Sequence, residues 1–123
     1  MSRYDLEDRL IRFACSCLEI CDALPYTKAA QNLSHQLSKS STASALIYGE
    51  VQAAESNADF IHKLKLTLKE LRETRINLRI ILEKPILKKE IVTLTLKEAN
   101  ELMAIFIKSI DTSKRKHADL KQK

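Results

Sequence analysis

The stretch "AAESNADFIHKLKLTLKELRET", residues 53–74, decides how this chain folds. Its opening is punctuation. Ser56, followed three residues later by Asp59, has the form of a capping box, in which a hydroxyl and a carboxylate satisfy free amides at a helix start. Ile61, Leu64, Leu68 and Leu71 then recur at spacings of three and four, which sets them on one side of a helix. The same period runs on through Arg75, Leu78 and Leu82 and stops near Pro85, whose ring cannot continue a helix.

Working outward from this segment, the rest of the chain repeats the pattern. Before Pro25, Leu6, Leu10, Phe13, Cys17, Ile20 and Leu24 form an amphipathic seam, with Ser2 and Asp5 placed to cap its start. After Pro25, Thr27 is the expected N-cap of a second helix. Its seam is Ala30, Leu33, Leu37, Ser40, Ser44, Ile47, Val51 and Ala54. The cluster SKSSTAS at 38–44 has a loop-like composition, but the seam crosses it unbroken, so a helix with small seam residues is predicted there. Ser40 and Ser44 then allow close helix approach and can bond back to the preceding turn. Residues 85–94, PILKKEIVTL, read as a connection with a short extended piece around Ile91–Leu94. Thr95 with Glu98 reads as one more capping box, starting a last helix whose seam is Ala99, Leu102, Phe106 and Ile110.

One glycine and two prolines in 123 residues agree with this, because β-rich folds consume such residues in turns. Hydrophobic residues make up 45% and charged residues 30%, a balance that supports a folded core. The prediction is all-α: an antiparallel up-and-down four-helix bundle over 1–112 with a basic C-terminal tail at 113–123. The start of the chain has no apolar stretch of signal-peptide type, and no run is long enough for an ordinary membrane span. The expected compartment is the cytoplasm. Cys15, Cys17 and Cys21 sit within one helix, an odd number lacking the partners of a disulfide framework or a closed zinc site. They are expected to behave as small buried hydrophobes.

The net charge of +5 is concentrated at one end. Residues 113–123 hold five basic residues against Asp119, which leaves 16 basic and 15 acidic residues in the body. The third helix nevertheless carries a basic ridge of Lys65, Lys69, Arg72 and Arg79. Two readings stand side by side. Helix 1, with Asp5, Glu7, Asp8, Glu19 and Asp22, is an electrostatic complement to the ridge within or between chains. Alternatively, the ridge joins Lys114, Arg115 and Lys116 as a phosphate track for RNA or DNA. Leu66, Ile76 and Ile80 point away from the seam, which a monomeric bundle has no use for. Covering each stabilises by about 1.5–3 kcal/mol, so a second copy of the chain is the expected partner. Arg75 falls on the seam, where a charge needs a partner; Glu50 or Glu19 is the expected one.

Nothing in the chain spells out a reaction. Asp59-x-x-His62 has one copy of a motif that di-metal bundles need twice, and its acid is already a cap. His35 and His117 have no Cys or second His at ligand spacing, and one glycine cannot make a phosphate-binding loop. No cofactor, metal or small-molecule substrate is expected, and no enzymatic activity.

Three blocks, "YDLEDRLIRFA" at 4–14, "AESNADFIHKLKLTLKELRETRINLRII" at 54–81 and "LTLKEANELMAIFIKSI" at 94–110, resemble the bacterial four-helix-bundle proteins. Some members of that family are encoded within intervening sequences of large-subunit ribosomal RNA genes. The resemblance implies a bundle assembling as a ring-like homopentamer, with no catalytic residues to carry over. It extends more distantly to the accessory variability determinant protein of diversity-generating retroelements, a basic pentameric barrel that binds nucleic acid and a reverse transcriptase. The near-neutral body of this chain differs from that relative.

Overall fold

The computed structural model describes residues 3–122. Four helices follow one another: α1 (Arg3–Ala23), α2 (Lys28–Gly49), α3 (Asn57–Glu83) and α4 (Glu90–Gln122), with a 3-10 turn at Val51–Ala53 between α2 and α3. Each helix packs on its neighbours in sequence and α4 closes back on α1, while α1 and α3 lie diagonally across the bundle. Short connections make consecutive helices antiparallel, so this is the predicted up-and-down bundle. No helix is long and apolar enough to cross a membrane.

The predicted seams meet in one core. Leu10, Cys17 and Ile20 from α1, Leu37 from α2, Leu71 and Leu78 from α3, and Leu102 and Phe106 from α4 are all fully covered. The ring of Tyr48 stands edge-on to Phe106 at 5.4 Å, joining α2 to α4 across the diagonal. Thr27 caps α2 by accepting from the amide of Ala30, and Ser56 caps α3 by accepting from that of Asp59. The carboxylate of Asp59 in turn accepts from the amide of Glu55 at 3.2 Å, so the box closes on the residue before the cap. Residues 38–44 are helical throughout, as the unbroken seam predicts. The cap proposed at Ser2 lies outside the described residues.

Three boundaries differ from the expectation. First, α4 begins at Glu90, so Ile91–Leu94 is helical and Thr95 is a buried mid-helix residue rather than a cap. Val92 and Thr95 prove to be earlier members of the seam that the reading began at Ala99. Burying them outweighs the weak strand preference of a β-branched run, and extending a formed helix is cheaper than starting one. Second, α2 stops at Gly49 instead of reaching Ala54; glycine leaves a helix at little cost, and Val51 tucks into the core as the chain reverses. Tyr48 rather than Ile47 takes the last buried position there. Third, α4 continues to Gln122, so Lys114, Arg115 and Lys116 lie on a helix and are exposed.

Candidate association surface on α3

The side of α3 that faces away from the core is built by the same periodicity that builds its seam. At about 100° per residue, Lys65, Lys69, Arg72, Ile76 and Ile80 fall opposite Leu64, Leu71 and Leu78. Ile76 is 55% and Ile80 45% exposed, while Leu66 is half-buried at the edge of this face. Between α2 and α3 an open groove of about 570 Å³ runs past Gln36, Lys39, Lys69, Glu73, Ile76 and Ile80. Glu70 also lines it. Partial burial raises the Glu70 carboxyl above its ordinary range, and the neighbouring Glu73 adds to the shift against the opposing pull of Lys69 and Lys39.

The basic ridge is not a row of equivalent free cations. Lys69 reaches Glu73 at 3.8 Å and Arg79 reaches Glu83 at 2.8 Å, each one turn along the same helix. Lys65 and Arg72 make no ion pair among the described residues and are exposed. At the far end of α4, Arg115 pairs with Asp111 at 2.8 Å, whereas Lys114 and Lys116 are exposed and make no such pair there.

Arg75 has a different partner from the one expected. Its Nε donates to Oδ1 of Asn100 on α4 at 2.7 Å, and Glu50 instead approaches Lys63 Nζ at 3.9 Å. A strict seven-residue repeat places Arg75 on the seam. An α-helix drifts by about 20° per heptad against such a repeat, so the buried position passes to Thr74 and leaves Arg75 at the α3–α4 edge. Thr74 is more informative than the residue it displaces. Its hydroxyl donates to the Glu70 carbonyl at 2.8 Å, so in the 2.7 Å contact between the two hydroxyls it is Ser40 that donates. Thr67 and Ser44 likewise bond back to carbonyls of their own helices. This polar seam between α2 and α3 had a visible signal in the heptad spacing of Thr67 and Thr74.

Among the described residues, Glu7, Asp8, Glu19 and Asp22 of α1 make no ion pair with the ridge within one chain. The two helices occupy opposite corners, and α1 instead turns Arg9 toward α4. There Arg9 engages Glu98 and Glu101 at 2.7 and 2.8 Å, contacts that keep its guanidinium more firmly charged than usual, the Glu98 hydrogen bond first among them. Asp59 Oδ1 lies 3.6 Å from Lys63 Nζ, and among the described residues no group of His, Cys, Asp and Glu is arranged to hold a metal ion.

A family model described as 23S rRNA-intervening sequence protein matches residues 4–108. No curated protein matches the chain. Among solved structures, one similar chain is the crystal structure of a protein with unknown function from the S23 ribosomal protein family of Bacteroides thetaiotaomicron. It is 25% identical, covers 90% of this chain and 99% of its own, and superposes with a TM-score of 0.80.

Proposed function

This chain belongs to the 23S rRNA-intervening sequence protein family, and on that premise we propose that it is a non-catalytic structural or adaptor protein that works as an assembly of identical bundles in the cytoplasm. The assembly is the ring-like homopentamer that its resemblance implies. The observation that carries this reading is the exposure of Ile76 and Ile80 beside the α2–α3 groove. These two exposed aliphatic side chains, one turn apart, favour a covered state, and Leu66 adds a half-buried third further along α3, because removing apolar surface from water is the main driving force of association. Light scattering at micromolar concentration is expected to give a mass near five times 14.0 kDa. A monomer would overturn the reading. Ile76→Lys with Ile80→Lys is expected to reduce the mass while leaving the helical circular dichroism unchanged.

A second reading rests on Lys65, Arg72, Lys114 and Lys116, which make no ion pair among the described residues. It makes the protein an accessory that holds RNA or DNA along α3 and the end of α4. Such binding would weaken steeply as salt rises, by the release of counterions from the phosphates. Affinity that does not change with salt, or that survives Lys65→Glu with Arg72→Glu, would count against it.

A further inference from the structure

The outer face of α1 is apolar and mainly acidic where that of α3 is apolar and mainly basic. At alternating spacings of three and four, Asp8, Ile11, Cys15, Leu18 and Asp22 form its outermost line. Ile11 is 48% and Leu18 38% exposed, and Cys15 between them is exposed too, contrary to the expected burial of all three cysteines, because it points about 160° away from Cys17 on the helix. An apolar strip is thus bracketed by acids, with one exposed base, Arg12, beside it. Asp8, Glu19 and Asp22 are exposed and make no ion pair among the described residues. On α3 Ile76 and Ile80 follow Arg72 at one and two turns, with Lys65 about two turns further back along the same face, and both cations are equally uncommitted among the described residues.

We infer that the outer face of α1 in one copy seats against the outer face of α3 in the next, apolar strip on apolar strip and acids beside bases. This rests on the reading above that the chain assembles with itself, and it names the two surfaces that meet. Like faces match less well, because α1 offers only Arg12 against its three exposed acids Asp8, Glu19 and Asp22. Two α1 faces would oppose Asp8 and Asp22 to their own copies, and two α3 faces would oppose Lys65 and Arg72 to theirs, a costly juxtaposition at an interface. Because α1 and α3 stand at diagonal corners, one copy cannot satisfy both faces from within; it offers them to two different neighbours. Such a head-to-tail contact repeats around a closed ring or along an open fibre, and never stops at a two-fold dimer. The uncommitted cations of α3 are on this account the docking partners of a second chain's acids.

Charge reversal tests the pairing. Asp8→Lys with Asp22→Lys, and separately Lys65→Glu with Arg72→Glu, are each expected to raise the concentration needed for assembly by about tenfold or more. The fourfold variant carrying both reversals is expected to recover assembly, because the two faces are complementary again. A wild-type monomer would sink the assembly reading itself. A wild-type oligomer whose size neither double reversal alters, or a fourfold variant more dissociated than both doubles, would sink only the pairing of faces. So would a Lys65→Glu, Arg72→Glu protein that keeps its size and loses retention of RNA, since the ridge would then serve phosphate. Native Cys15 supplies an independent readout. Under mild oxidation Ile76→Cys should give a ladder of covalent species larger than dimers, absent when Cys15→Ser is added; dimers alone would refute the head-to-tail contact.

Discussion

The guanidinium of Arg9 in α1 grips the carboxylate of Glu98 in α4 with two parallel hydrogen bonds, Nε to Oε2 at 2.8 Å and Nη2 to Oε1 at 2.7 Å. The same Nη2 reaches Glu101 at 2.8 Å. Bidentate geometry fixes the register of the first helix on the last, the pair of elements that closes the bundle. Both side chains remain about a quarter exposed, so solvent screens the attraction. A double-mutant cycle with Arg9→Ala and Glu98→Ala should return a coupling of about 1 kcal/mol that shrinks as salt is added.

The start of α4 at Glu90 can be separated cleanly from a start at Thr95. Were Thr95 a cap, residue 96 would be the first helical position, where proline is welcome. Inside a helix, Leu96→Pro removes a backbone hydrogen bond and clashes with the preceding turn. It should therefore cost about 3 kcal/mol or more beyond Leu96→Ala in chemical denaturation.

The buried hydroxyl pair of Ser40 and Thr74 ties α2 to α3. Thr74→Val keeps the shape and removes the acceptor, leaving the Ser40 hydroxyl without its partner. A loss of about 1–3 kcal/mol is expected. Adding Ser40→Ala should cost less than its own single effect, because the stranded donor is gone.

Burial pushes the Cys17 thiol from an ordinary value of 9.0 to about 12. As pH rises past 9, the unfolded chain gives up this proton while the folded chain keeps it. The folded state then binds more protons, so stability falls between pH 9 and 12 and is unaffected by this group below that window. The slope due to Cys17 cannot exceed about 1.4 kcal/mol per pH unit. Cys17→Ala should be less stable at pH 7 yet show a shallower alkaline decline. Alkylation of the native protein should label Cys15 first and reach Cys17 only on unfolding.

Gly49 ends α2 without a positive φ, and a Cβ built there would meet only the Glu7 carboxylate at 3.5 Å, an ordinary contact. Gly49→Ala should therefore raise stability by about 0.5–1 kcal/mol, mainly by narrowing the unfolded ensemble. A loss of stability would mean that the turn into Val51 needs the glycine.

Local rules in the chain were enough for the helices and the faces they bury. The three-and-four spacing of Leu10, Phe13, Cys17 and Ile20, and of Leu64, Leu68 and Leu71, follows from helix geometry alone, and the caps at Thr27 and Ser56 act within one turn. What lay beyond that range was decided in three dimensions. The diagonal placement of α1 and α3, the hold of Arg9 on Glu98, the partner of Arg75 and the early start of α4 all depend on which helices touch. Residue spacing specifies angles around one axis; only packing against other axes selects which of several compatible surfaces meet. For the same reason the outward isoleucines of α3 were legible from the sequence, whereas the matching strip on α1 acquired meaning only once the two helices were seen at opposite corners.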